Sequence, residues 1–256
     1  RNSICPRAWT SPSRFKFMLG LLGKKLGQTR VYDAQGNAVP VTIVLAGPNR
    51  VLQCKTVETD GYKAVQLGFG EQKEHRVAKP LLGHFKKFNS TPVKRVKEFR
   101  DFAKEVKPGD VVGANLFVAG DYVDAIGVTK GRGFEGVVKR HGFHGGPSTH
   151  GAKGWHRRGG AIGNRLFPGT VLRGMKMPGH MGQVQRTAQN LEVIQVREAD
   201  NLLLIKGAIP GANGDYVIIR EAKKLSRARM AQLKAQAEAR AKAPAARGKA
   251  GAAAKK

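Results

Sequence analysis

Residues 129–187 constrain this chain more than any other stretch. Between Thr129 and Thr187 there are fifteen Gly, eleven Lys or Arg, five His and a single acid, Glu135. No helical or strand period runs through them, so neither an amphipathic helix nor a half-buried strand is encoded. A compact domain rarely carries so long a stretch without secondary structure unless it is functional or disordered. Phe134, Phe143, Trp155 and Phe167 stand among the charges, and a merely solvated linker has no need of them. The segment reads as one that takes its shape against a polyanion.

The rest of the chain supplies a β framework around it. Val39–Ala46 and Arg50–Val57 are rich in β-branched residues, and Asp60-Gly61 supplies a hairpin turn before Tyr62–Phe69. Residues 76–106 scatter His84, Phe85, Phe88, Val93, Val96 and Phe99 among cations, with Pro80 and Pro92 as breaks, and read as an irregular or partly helical insertion. Strand signals return at Val111–Val118 and Tyr122–Val128, and again at Leu191–Val196, Asn201–Lys206 and Asp215–Arg220. The 129–187 segment is therefore an excursion between strands of one β domain, with its two ends close together. Residues 1–17 are expected to be an unstructured leader, either translated ahead of a start at Met18 or left from a transit peptide. The Ala- and Lys-rich tail, 222–256, is expected to be partly helical or disordered.

A formal net charge of +28, from 46 Lys and Arg against 18 acids, demands an anionic partner. A membrane surface is disfavoured, because no basic amphipathic helix beside a lipid-anchor motif is present. Cys5 and Cys54 form no CxxC pair, which fits a reducing compartment and provides no cysteine zinc site.

Three enzyme-like patterns fail on context. Gly131-Arg132-Gly133-Phe134-Glu135-Gly136 matches GxGxxG, but His141, Gly142, Gly145, Gly146 and Pro147 end any following helix, and no acid lies near 150–158. His141, His144, His150, His156 and His180 lack Cys partners and have cationic neighbours, which oppose a divalent ion. No acid pair, Ser–His–Asp set or activated Cys is present in the segment. No metal, cofactor, small-molecule substrate or catalytic role is expected.

RNA remains as the polyanion. Lys130, Arg132, Lys139, Arg140, Lys153, Arg165, Arg173, Lys176 and Arg186 would neutralise phosphates, while Gly lets the backbone approach closely. His141, His144, His150, His180 and Asn164 would donate to phosphates or meet bases. Arg157 and Arg158 beside Trp155 and His156 join charge to stacking surface, which suits unstacked bases of folded RNA. A basic loop that orders only on binding is compatible with the same residues.

Several motifs then become specific. The run Phe117…Asp124…Gly127-Val128-Thr129-Lys130-Gly131-Arg132-Gly133…Gly136…Arg140 resembles the signature of large-subunit ribosomal protein three, the universal L-three family in its bacterial form. Met18–Arg30, Lys79-Pro80…Gly83-His84-Phe85, Pro168–Gly182 and Asn201–Gly211 are similar to further family segments in the same order. The likeness covers about 18–221. It implies a mainly β fold, a closed six-stranded Greek-key barrel of the translation-protein type, carrying a long irregular extension and a small partly helical insertion. It also implies direct binding to large-subunit rRNA, with Lys24 and Lys25 of the amino-terminal run added to the contact set. The extension is expected to reach towards the peptidyl-transferase region with Trp155–Pro168 at its tip. The family further implies a role in early assembly, and neighbours that include the large-subunit proteins numbered fourteen and nineteen. A cytoplasmic bacterial ribosome follows, with an organellar ribosome as the alternative. Some relatives carry a methylated Gln in a Gly-Gln-Asn-Gln stretch; here Gly163-Asn164-Arg165-Leu166 offers no Gln for it.

Overall fold

The computed structural model of the chain describes residues 19–33, 35–225 and 232. The expected leader and nearly all of the expected tail, including Cys5, lie outside the described residues. Strands in chain order are β1 (Gly20–Tyr32), β2 (Ala38–Leu45), β3 (Asn49–Lys55), β4 (Ala64–Glu71), β5 (Val93–Arg100) and β6 (Val111–Val112). They continue with β7 (Tyr122–Val128), β8 (Gly133–Glu135), β9 (Gly179–Met181), β10 (Gln185–Arg197), β11 (Leu202–Lys206) and β12 (Tyr216–Glu221). The α-helices with bounds among the described residues are α1 (Val57–Asp60), α2 (Lys79–Lys87) and α3 (Val137–His141).

Alternation along the strands closes the main sheet on itself. Leu21, Val44, Val123, Ala125, Val193, Leu203, Ile205, Val217 and Ile219 all point inward and are fully buried. They fill a closed antiparallel barrel in the order β1-β12-β7-β10-β11-β2, as expected for a small barrel whose interior is packed with side chains. Burial of each Leu, Ile or Val side chain among them contributes about 1.5–3 kcal/mol. Within the barrel, β7, β10 and β11 are successive neighbours and β12 returns to lie beside β7, which is a Greek key. The family resemblance implied this architecture.

A second sheet, β5-β4-β3-β6, packs on the barrel. Gly20 of β1 makes this possible, since a Cβ there would collide with the Phe99 ring of β5. Buried Asn49 of β3 ties the two layers, donating from Nδ2 to the carbonyls of Leu22 (3.0 Å) and Ala46 (3.1 Å).

Three local expectations are corrected. The 76–106 stretch is partly helical in α2, where Pro80 lies in the first turn rather than breaking it, a position that needs no amide hydrogen. Beyond Pro92, however, it forms β5, paired along β4 from Val93↔Glu71 to Arg100↔Ala64. The expected strand Val111–Val118 stops at Val112, because the Ala114 amide is taken by the Asn201 side chain (3.3 Å) instead of a ladder. β3 and β4 do form a hairpin, but through the single helical turn of α1, closed at Gly61 with φ 78°.

Asp124 is a buried acid within β7. Its carboxylate accepts from the Asn190 amide (3.1 Å) and the Lys223 amide (3.3 Å), and pairs with Arg220 at 3.5 Å. Asn190 has a positive φ of 56°, at a register shift of β10 against β7. The buried carboxylate thus fixes a bulge in the strand that leads out of the 129–187 segment.

Candidate nucleic-acid interface

The segment leaves the barrel from β7 and returns into β10, which pair from Gln185↔Val128 onward. One residue beyond that pair, Thr129 closes the root. Its amide donates to the Val184 carbonyl (3.0 Å), its carbonyl accepts from the Gln183 amide (3.2 Å), and its hydroxyl lies 3.2 Å from the same Val184 carbonyl. Gly182 has φ 79°, and a Cβ there would collide with the Lys130 carbonyl oxygen. Only Gly lets the two chains pass this close.

Further out, β8 and β9 form a short ladder, Gly133↔Met181 to Glu135↔Gly179, so the segment is not wholly irregular. The helix α3 follows at once. Arg140 Nη1 donates to the Met177 carbonyl (2.6 Å), and His141 Nε2 lies 3.0 Å from the same oxygen. Gly179 leaves room for the guanidinium, since a Cβ there would lie 2.9 Å from Nη1. These contacts make a stapled arm rather than a loose loop.

The GxGxxG run lies in this stem. Gly133–Glu135 is extended in β8, and α3 opens after Gly136 but ends within five residues at Gly142. That length cannot supply the helix of a dinucleotide fingerprint. Among the described residues, no three His, Cys, Asp or Glu side chains gather in a metal-binding group. Burial raises the pKa of the Cys54 thiol, and the Asp110 charge adds to this. Such a shift is opposite to the activation a nucleophile requires.

Past α3 the chain folds on itself again. The Gly146 amide donates to the His156 carbonyl (3.0 Å), and His156 Nδ1 lies 3.1 Å from the Pro147 carbonyl. A Cβ at Gly145 would collide with the His156 carbonyl oxygen. The Arg158 guanidinium lies over the Trp155 indole at 4.7 Å, within cation–π range. Trp155 is still 55% exposed, and Leu166 and Phe167 at the far end are 88% and 87% exposed.

Of the twenty side chains predicted from sequence, sixteen are exposed along the arm: Lys130, Arg132, Lys139, His144, His150, Lys153, Trp155, His156, Arg157, Arg158, Asn164, Arg165, Arg173, Lys176, His180 and Arg186. Lys139 is paired with Glu135 at 2.6 Å, so the other cations have no acid within the arm to neutralise them. Arg140 and His141 are half-buried and hold the stem. Lys24 is half-buried on the barrel.

Lys25 stands apart. It is buried, and its Nζ donates to the carbonyls of Ile209 (2.8 Å) and Gly211 (2.9 Å). Burial lowers its pKa, the Lys130 charge lowers it further, and Asp215 acts in the opposite direction. In this structure its ammonium is committed to the loop before β12 rather than offered at the surface.

Cations outside the predicted set crowd the root as well. Arg95 and Lys94 of β5 approach the Tyr216 ring at 5.2 and 5.7 Å. Neither was legible as part of a site, because only the packing of β5 on the barrel brings them there.

Together these features define a class: a Greek-key β-barrel protein that holds out a stapled, cationic, glycine-rich arm. Residues 88–201 match the family model described as ribosomal protein L3. The chain is 50% identical over 212 residues to large ribosomal subunit protein uL3 of Deinococcus radiodurans, covering 83% of this chain and 99% of that one. It is 51% identical over 209 residues to the uL3 of Akkermansia muciniphila, covering 80% and 99%. With the uL3 of Brachyspira hyodysenteriae it shares 50% identity over 208 residues, covering 81% and 95%. The chain belongs to the ribosomal protein L3 family.

Proposed function

We propose that this chain is a structural constituent of the large ribosomal subunit that binds the subunit's RNA directly. The barrel serves as the anchor, and the arm reaches inward. One observation carries this reading: all Lys and Arg of 129–187 except Arg140 are exposed, on a segment whose only acid is already paired. Such self-repulsion is relieved by phosphates. The exposed Trp155, Leu166 and Phe167 give the same segment surfaces that stack on or cover unpaired bases.

Membership of the family supports the remaining parts. The tip at 155–168 approaches the peptidyl-transferase region and shapes it, while the RNA performs the chemistry and this protein is no enzyme. The chain enters early in subunit assembly beside the proteins numbered fourteen and nineteen. Its bacterial relatives support a cytoplasmic bacterial ribosome as its location, with an organellar ribosome as the alternative.

Deletion of residues 153–167 tests the inward reach. The barrel should still fold, and large subunits carrying the shortened chain should show weak peptidyl transfer or faulty maturation. Normal assembly together with normal activity would count against it.

A further inference from the structure

A groove of about 710 Å³ lies outside the arm, where β5, the outer face of the barrel and the arm root meet. Its volume falls in the range of about 300–1,000 Å³ that holds a small organic ligand. The floor is an apolar row set by register: Leu22 of β1 faces Ile218 of β12, which faces Ile126 of β7. Such cross-strand rows usually vanish under a packed layer. Here Leu22 and Ile126 are buried, while Ile218 between them is only partly covered and exposed Val96 and Val128 border the groove beside it.

One wall comes from β5. Arg95 and Lys97 share a face with Phe99, which packs into the main core cluster, and their β4 partners are Phe69 and Leu67 of the same cluster. Side chains on one face of a strand point the same way, so these two cations are directed at the barrel and not away from it. Lys130 brings a third cation from the arm root, and its charge already disfavours the ammonium of Lys25. The only acid in the lining, Asp215, accepts the Ala212 amide at 2.6 Å. Tyr216 adds an aromatic ring beneath the Arg95 guanidinium, and Gln185 adds an amide that can meet a base edge.

We propose that this groove seats an unstacked nucleotide of single-stranded RNA, with phosphates on Arg95, Lys97 and Lys130 and a base over the Leu22–Ile218–Ile126 floor beside Tyr216. The proposal rests on the RNA-binding reading of the arm and extends it to a second contact on the barrel. A duplex keeps its bases stacked and leaves such a floor bare; an extruded base covers it. Lys130 belongs to both the groove and the arm, so one RNA can run from the first to the second.

The test uses the full chain and two probes, a fluorescent hexauridylate and an RNA duplex of twelve base pairs. Arg95→Gln with Lys97→Gln should weaken hexauridylate binding by about fivefold or more at low salt. It should also flatten the salt slope by about 1.4, from about 0.7 for each of two phosphates. Lys86→Gln with Lys87→Gln, which removes the same charge from exposed positions on α2, should change binding less than about twofold. Duplex affinity should respond equally to both pairs. Hexauridylate carrying 4-thiouridine should photocrosslink to the peptide containing Tyr216.

Equal losses from the two pairs, without that crosslink, overturn the groove. If Arg157→Gln with Arg158→Gln still weakens binding in that case, the arm reading survives and only the groove falls. Absence of any RNA binding by the wild-type chain removes both. A decapeptide of alternating Glu and Phe that binds wild type but not the Arg95/Lys97 pair, with no Tyr216 crosslink, assigns the groove to an acidic protein segment and overturns the proposal.

Discussion

Lys25→Met separates a lysine that holds the fold from one that waits for a phosphate. Methionine has nearly the same reach but no donor. The carbonyls of Ile209 and Gly211, now 2.8 and 2.9 Å from Nζ, would be left without their partner. Each such loss costs about 1–3 kcal/mol, and part returns because no ammonium has to be desolvated. The net destabilisation is about 2–3 kcal/mol. For a chain of this size that lowers Tm by about 4–12 °C.

The pH dependence carries a sign. Folding lowers the Lys25 pKa below 10.5, so between the lowered value and 10.5 the unfolded chain binds more protons. Wild-type stability then rises with pH relative to the variant across that window, and a neutral amine can still donate both bonds. The gap between the proteins should be constant near neutral pH and widen as pH climbs towards 10.5. Thermal melts of both chains by circular dichroism, in matched buffers, measure this. A Tm difference under about 1 °C, or a gap that narrows with rising pH, refutes the structural role of Lys25.

Three further outcomes concern the arm. Gly182→Ala forces a Cβ towards the Lys130 carbonyl at a positive φ and should cost about 1–3 kcal/mol; hydrogen exchange should quicken at the Thr129 and Arg132 amides but not at Val123, and unchanged protection at Arg132 would reject the stapled root. Trp155→Ala should lose about 1–3 kcal/mol of affinity for large-subunit RNA if the indole stacks on a base, whereas equal affinity leaves it to Arg158 and packing. With about ten phosphates neutralised, log K against log salt should slope between about −7 and −9, and a nearly flat response removes the electrostatic basis of the reading.

Where one face of a strand is uniformly apolar, the sequence was readable. Tyr122–Val128 and Leu202–Lys206 lie where their β-branched and leucine runs put them, because burial inside a barrel rewards that pattern. β5 was not readable. Buried Phe99 shares its face with exposed Arg95 and Lys97, and buried Val93 packs instead with Leu52 and Phe85, so no alternation survives and Pro92 adds a break signal. The arm was recognisable by composition, but its stem was hidden: the bonds of Arg140 and His141 to Met177 join positions 36 and 37 residues apart. Lys25 shows the same gap from the other side. Its neighbour Lys24 remains partly at the surface, and nothing local says which of the two turns inward.

Density for this chain in a map of the assembled large subunit tests the central claim most directly. The barrel should lie on the RNA surface, with residues 153–167 threaded between RNA segments and Arg157, Arg158 and Arg165 against phosphates. An arm that lies in solvent, or that folds back over its own barrel away from RNA, would contradict the account.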